Sequence, residues 1–159
     1  MSARLIALAA LTIATPANAD TLQSVAASLA PHASAMCVER RQHPACFGRV
    51  RMNDSRAVNA SAGNGWITVT RGMMRATDDD ELAFVVAHEM AHNVAWHFRS
   101  SPSNELEADA IALRLVAQAG YDPLAGARLL ARIKQRRSRN YPEPAQRIAA
   151  IRAAAQQEN

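Results

Sequence analysis

An apolar run that leads directly into two histidines and a glutamate is the strongest constraint on the fold of this chain. Residues 82–87 read Leu-Ala-Phe-Val-Val-Ala, and residues 88–92 continue as His-Glu-Met-Ala-His. On a helix, His88 and His92 lie one turn apart, so both imidazoles project from the same face. Burying polar side chains without partners is costly. The segment therefore predicts a buried helix whose polar side chains bind a metal ion.

The residue types in this segment are those of a hydrolytic zinc site. Both imidazoles can bind one ion, and Glu89 lies beside them as a general base. Glu105 begins a Glu-Leu-Glu-Ala-Asp run and can supply a third ligand, which leaves one coordination position open. Glu107 is the competing third ligand, but on a helix it points in a different direction from Glu105. The alternative is a helix carrying these side chains on a solvated face, which the apolar neighbours argue against.

Capping signals predict where the motif helix begins. Thr77 offers a side-chain cap, and Asp80 follows it with a carboxylate, which together form a capping-box pattern. The helix is expected to run from residue 78 to residue 97 or 98. His97 should then face away from the two motif histidines, and we interpret it as a structural residue.

A second helix is expected directly after the motif helix. Ser101 can cap it, with a proline at its first position, and it should run through residue 119. Glu105 and Asp109 then lie one turn apart on one face. The small residues beside them, Ala108 and Ala112, would let the two helices approach closely enough for Glu105 to reach the metal.

Elsewhere the chain carries weaker helix and strand signals. β-branched and aromatic residues make Trp66–Thr70 the clearest strand, and a turn over residues 61–65 precedes it. This strand is either part of the core or an exposed edge that binds an extended substrate. The other expected elements are a helix over 21–35, short strands within 47–60, a helical turn near 73–75, and helices over 123–135 and 142–156. Together they predict an α+β fold in which a helical core packs against a small β-sheet.

The N-terminal residues 1–19 have the features of a secretory signal peptide. A short basic start precedes an apolar segment over residues 5–15, and Ala17-Asn18-Ala19 fits a cleavage site after Ala19. Residues 20–159 would then form one exported, periplasmic domain without a transmembrane segment. The alternative is an uncleaved N-terminal anchor, although the apolar segment is short for a membrane span.

Two cysteines, Cys37 and Cys46, lie close together in sequence ahead of the motif. In an oxidising compartment their natural pairing is a disulfide bond. A Cys/His metal site that includes His32 and His43 is the alternative, but the spacing matches no structural zinc pattern. We therefore interpret the cysteines as a covalent link.

The formal net charge is +4, and much of the excess lies in a basic run near the C-terminus. The run comprises Arg128, Arg132, Lys134, Arg136, Arg137 and Arg139. No nucleic-acid motif and no interleaved aromatic residue accompanies it, so we expect no nucleic-acid partner. A solvated helix end accounts for such a run. Peripheral contact with a membrane surface or an envelope complex is the functional alternative.

Several stretches jointly resemble metallopeptidase family forty-eight. They are Gly-Trp-Ile-Thr-Val-Thr-Arg-Gly at 65–72, the His-Glu-Met-Ala-His motif, the Glu-Leu-Glu-Ala-Asp run, and residues 142–148. The resemblance implies a zincin-type domain with one zinc ion held by His88, His92 and Glu105, and with Glu89 as general base. Asp109 would orient a ligand histidine from outside, as such carboxylates do.

The resemblance also implies an activity, namely a zinc-dependent endopeptidase in which zinc and Glu89 activate water to hydrolyse exported or envelope polypeptides. Tyr141 stands where relatives carry a histidine, and it would either pack or donate to a transition-state oxyanion. Arg147 would pair with a carboxylate or contact substrate. The rival hypothesis is a non-catalytic, zinc-stabilised chaperone or binding module of the envelope, although Glu89 would serve no purpose in it.

Overall fold

A computed structural model of the protein describes residues 19–63, 65–133 and 141–157. Within these ranges six helices and three strands form an α+β fold with a small sheet, which confirms the predicted class. The helices are α1 (Ala19–Glu39), α2 (Arg71–Ala76), α3 (Asp79–Val94), α4 (Pro102–Gln118), α5 (Ala125–Arg132) and α6 (Pro144–Ala155). The strands are β1 (Arg49–Asn53), β2 (Ala60–Gly63) and β3 (Trp66–Thr70).

The three strands form one sheet in the order β1-β3-β2, with β3 parallel to β1 and antiparallel to β2. Ile67 and Val69 point inward from β3 and are fully buried. The hypothesis that β3 offers a free edge to substrate is therefore wrong, because both of its edges are paired. The prediction of a turn at residues 61–65 is also wrong over 61–63. Residues 61–63 belong to strand β2, whose sequence is Ala-Ser-Ala-Gly. These residues have little β propensity of their own, and their pairing with β3 imposes the extended conformation.

Helix α3 is the centre of the molecule and is buried along nearly its whole length. Its N-cap is Asp78, one residue later than predicted. The Asp78 side chain accepts from the Glu81 N–H at 2.8 Å, and the Glu81 carboxylate accepts from the Asp78 N–H at 3.1 Å. Thr77 instead donates its hydroxyl to the carbonyl of Met73. The capping box thus lies where the sequence predicts it, but Asp78 and Glu81 form it and not Thr77 and Asp80.

Helix α4 packs along α3 with small residues between the two axes. Its N-cap is Ser101, as predicted, whose side chain accepts from the N–H of Asn104. Ala108 and Ala112 of α4 are fully buried, as are Ala87 and Ala91 of α3. Because these side chains are short, the carboxylates of α4 can reach the polar face of α3.

The N-terminal region also packs against α3. Helix α1 is longer than the predicted 21–35 and buries Leu22, Val25 and Leu29 in the common core. Cys37 and Cys46 form the predicted disulfide bond, so neither is a metal ligand. The predicted signal peptide, apart from Ala19 in α1, lies outside the described residues. No helix in the described part of the chain is long and apolar enough to cross a membrane.

The C-terminal helices close the core beyond α3 and α4. Helix α5 is shorter than the predicted 123–135, and α6 lies within the predicted 142–156. Part of the basic run is neutralised locally, because Arg128 pairs with Asp122 and Arg132 pairs with the buried Glu81. The other basic residues of the run fall at 134–140, outside the described residues.

Candidate metal centre

Three nitrogen and oxygen donors converge between α3 and α4. The Nε2 atoms of His88 and His92 are 3.1 Å apart. Glu105 places one carboxylate oxygen 3.4 Å from Nε2 of His88 and the other 3.7 Å from Nε2 of His92. Donors bound tetrahedrally to zinc at about 2.0–2.1 Å are roughly 3.3 Å from one another. The donor set and its spacing therefore fit a zinc ion.

The short distance between the two Nε2 atoms is itself informative. Two neutral imidazole nitrogens that face each other with their lone pairs repel, so a proton or a cation must lie between them. Burial by itself lowers the pKa of His88, but Asp109 and Glu105 outweigh it and raise this pKa to about 9. Burial and the charge of His88 lower the pKa of His92 to about 4. Without metal, the pair thus carries one positive charge, which lies on the imidazolium of His88 while the ring of His92 is neutral.

Asp109 and Arg147 support His88 from behind. The carboxylate Oδ1 of Asp109 lies 2.9 Å from Nδ1 of His88, a short contact whose alignment departs from that of an ideal hydrogen bond. Arg147 donates two hydrogen bonds to the same carboxylate, at 2.7 and 2.6 Å. Burial raises the pKa of Asp109, but Arg147 and His88 outweigh it and keep the carboxylate ionised. Of the two roles predicted for Arg147, carboxylate pairing is the one adopted.

Glu89 lies beside the three donors at the wall of a cavity of about 360 Å³. Burial raises the pKa of its carboxyl above the ordinary value, while the charge of His88 opposes this shift. The backbone N–H of Ala62, on β2, donates to the carboxylate. A carboxylate whose pKa is raised towards neutrality suits a group that takes up and releases a proton.

His97 does not face away from the site, so its predicted orientation is wrong. Helix α3 ends at Val94, three to four residues earlier than expected, and Trp96 has a left-handed backbone with φ of 56°. The N–H of His97 bonds back to the carbonyl of His92 at 2.9 Å, and that of Trp96 to Asn93, which is a Schellman motif. This turn brings Nδ1 of His97 to 3.1 Å from Nδ1 of His92.

Glu107 lies outside the donor cluster. Its carboxylate is half-exposed and contacts Nε2 of His97 and the guanidinium of Arg40, each at 3.2 Å. Glu105, in contrast, is buried and faces both motif histidines. The choice of Glu105 over Glu107 as the third candidate ligand is therefore the one that the geometry favours.

Tyr141 lines the same cavity as Glu89 and the candidate ligands. Its hydroxyl is 3.3 Å from Oγ of Ser100, in the loop that follows the Schellman turn. The cavity also contains residues 59–62, which include most of β2. Sequence reasoning missed these residues as part of the site, because their Asn-Ala-Ser-Ala pattern carries no chemical signature.

Comparison with known proteins assigns the chain to a family. The chain matches the model of peptidase family M48 over residues 16–104, which is more than half of its length. The protein therefore belongs to this family of metallopeptidases, as the sequence resemblance indicated. The match includes His88, Glu89 and His92 but ends just before Glu105. A search of curated proteins finds no match.

Proposed function

We propose that this protein is a zinc-dependent endopeptidase with a zincin-type centre. The observation that carries the proposal is the convergence of His88, His92 and Glu105 on one point, with donor atoms 3.1–3.7 Å apart. Three protein ligands leave a fourth position for water or substrate, which is the pattern of catalytic rather than structural zinc sites. Glu89 beside that position supplies the base that a purely structural site does not need.

The chain's own residues divide the chemistry among them. A bound zinc ion would supply Lewis acidity towards water and the substrate carbonyl. Glu89 takes a proton from the attacking water and returns it to the leaving amine, a dual role that its raised pKa favours. Asp109, held by Arg147, keeps His88 oriented from behind. Tyr141 lines the same cavity, and its hydroxyl would donate to a developing oxyanion.

The edge of β2 is the proposed binding site for an extended polypeptide. Its inner edge pairs with β3, whereas residues 59–62 line the cavity next to Glu89. An extended substrate added to an edge strand gains main-chain hydrogen bonds regardless of its sequence. Apolar side chains that line the same cavity, namely Phe84, Val85, Leu129, Leu130 and Ile133, favour an apolar substrate side chain there. Unfolded polypeptides present both features.

We further propose that the substrates are exported or envelope polypeptides. The signal-peptide features of residues 1–19 and the Cys37–Cys46 disulfide support this location, since disulfides persist in oxidising compartments. We expect the mass of the protein recovered from the periplasm to correspond to a chain that begins at Asp20. Recovery of the complete chain from the cytoplasm would contradict this location.

Cleavage of an unfolded protein such as casein tests the activity. Wild type should cleave it, a chelator should abolish cleavage, and added zinc should restore it. The Glu89→Gln variant should bind one equivalent of zinc yet cleave at least 100-fold more slowly, because the proton acceptor is lost. If wild type and Glu89→Gln both bind zinc and neither cleaves any polypeptide, the binding-module hypothesis replaces the enzyme.

A further inference from the structure

The proton positions in the ring of His92 follow from its two neighbours. Its Nε2 faces His88 and Glu105, so this nitrogen is the one that offers its lone pair to a metal. A neutral imidazole then carries its proton on Nδ1. That proton points at Nδ1 of His97, 3.1 Å away, which must accept it.

The same reasoning fixes the ring of His97. Because its Nδ1 accepts from His92, the proton of the neutral ring is on Nε2, and Nε2 lies 3.2 Å from the Oε2 atom of Glu107. The imidazole of His97 is only 6% exposed, so water cannot readily replace either contact. With a metal on Nε2 of His92, the heavy-atom positions therefore define a chain of donors and acceptors that runs from His92 through His97 to Glu107.

Glu107 ends this chain with a charge that is held in place. Arg40 donates to its other oxygen, Oε1, at 3.2 Å. The ion pair with Arg40 is exposed and contributes little to stability by itself. Its consequence is to orient the carboxylate towards His97.

Each of the two candidate ligand histidines is therefore connected to an outer carboxylate, directly in one case and through a second imidazole in the other. His88 is backed directly by Asp109, which Arg147 holds. The corresponding nitrogen of His92 reaches Glu107 only through His97. Each support ends in a carboxylate paired with an arginine. Such outer partners fix the ring orientation of a ligand and raise its basicity.

We propose that His97 and Glu107 are positioning residues that hold His92 in the orientation and tautomer required for metal binding. The proposal rests on the zinc site proposed above. Loss of an outer partner typically lowers metal affinity by 10- to 100-fold. We therefore expect zinc affinity, and not only peptidase activity, to depend on both residues, although neither touches the metal.

Zinc affinity measured by competition with a chromogenic chelator tests this proposal. The His97→Phe variant keeps an aromatic ring but has no acceptor, and should bind zinc about 10- to 100-fold more weakly than wild type. His97→Asn should recover most of the affinity, because its side-chain oxygen can take the place of Nδ1. Circular dichroism of each metal-free variant verifies the fold. If His97→Phe is folded and binds zinc as tightly as wild type, the proposal is wrong.

A double-mutant cycle tests whether Glu107 acts through His97. Glu107→Gln should weaken zinc binding in the wild-type background and have no effect in the His97→Phe background. Equal effects of Glu107→Gln on zinc binding in both backgrounds would show that Glu107 does not act through His97. Glu39→Gln, which removes an exposed carboxylate at the end of α1, is the matched control and should leave the affinity unchanged. If wild type itself binds no zinc, the proposed function is wrong, and so is the positioning role of His97 and Glu107.

Discussion

At the scale of single residues, the centre is a set of buried charges that balance only in one arrangement. Glu105 and Asp109 are two carboxylates with 5% and 2% of their side chains exposed, and they flank His88 from both sides. Arg147 neutralises one of them, and a proton on His88 neutralises the other in the metal-free state. Because removing a charge from water is expensive, the centre favours a cation between the two histidines; a zinc ion in place of this proton would add one positive charge, which the neighbouring carboxylate of Glu89 offsets.

Zinc affinity should consequently depend on pH. The pKa of His88 is raised to about 9, so below pH 9 zinc must displace one proton from this ring. The pKa of His92, lowered to about 4, adds no second proton above that value. Apparent affinity should rise about tenfold per pH unit between pH 6.5 and 8.5. Chelator competition at several pH values measures this slope, and an affinity that is constant across the range would contradict it.

At the scale of elements, local signals predicted those structures whose causes are local. The capping residue Ser101 and the β-branched run of β3 were read correctly from the sequence. The end of α3 was not, because Trp96 adopts a left-handed conformation that usually belongs to glycine. That error hid the contact between His97 and His92. Strand β2 was missed because its pairing partner, and not its composition, makes it a strand.

The junction between β3 and α2 depends on Gly72, because the space around it is crowded. A Cβ atom at Gly72 would lie 2.2 Å from the carbonyl oxygen of Arg56 and 2.3 Å from that of Ala57. Since these atoms belong to the backbone, they cannot rotate away. Gly72→Ala should therefore lower the free energy of unfolding by about 1–3 kcal/mol in chemical denaturation.

Gly63 on β2 provides the matched control for this substitution. A Cβ atom there would meet no other atom within 4 Å, and its backbone is not left-handed. Gly63→Ala should leave the free energy of unfolding within about 0.5 kcal/mol of wild type. Equal stabilities for the two variants would show that the crowding at Gly72 is not real.

At the scale of the whole molecule, hydrogen bonds connect the N-terminal region to the end of α3 that carries the Schellman turn. Gln42 donates to the carbonyl of Val94 at 2.8 Å, and Asn93 donates to the carbonyl of Phe47 at 2.9 Å. The loop between the two cysteines is thus fixed to the helix that supplies both histidines. The sequence predicted the disulfide but not this docking, which depends on contacts between residues about fifty positions apart.

Removing the disulfide should lower stability through the entropy of the unfolded chain. For cysteines separated by nine positions, loop closure contributes about 2–3 kcal/mol. The midpoint of thermal unfolding should fall in Cys37→Ala/Cys46→Ala relative to oxidised wild type. A reductant should lower the midpoint of wild type and have no effect on the double variant. An equal midpoint for oxidised wild type and the double variant would show that the disulfide does not stabilise the protein.

Metal content after equilibrium dialysis against excess zinc is the most direct measurement of the central claim that α3 and α4 together bind one zinc ion. Wild type should retain one equivalent of zinc. Glu105→Ala should retain almost none, because it removes a buried ligand, whereas Glu107→Ala should still bind one equivalent when zinc is in excess, since it lies outside the donor cluster. Full zinc retention by Glu105→Ala, or loss of saturable binding in Glu107→Ala alone, would contradict the assignment of the ligands.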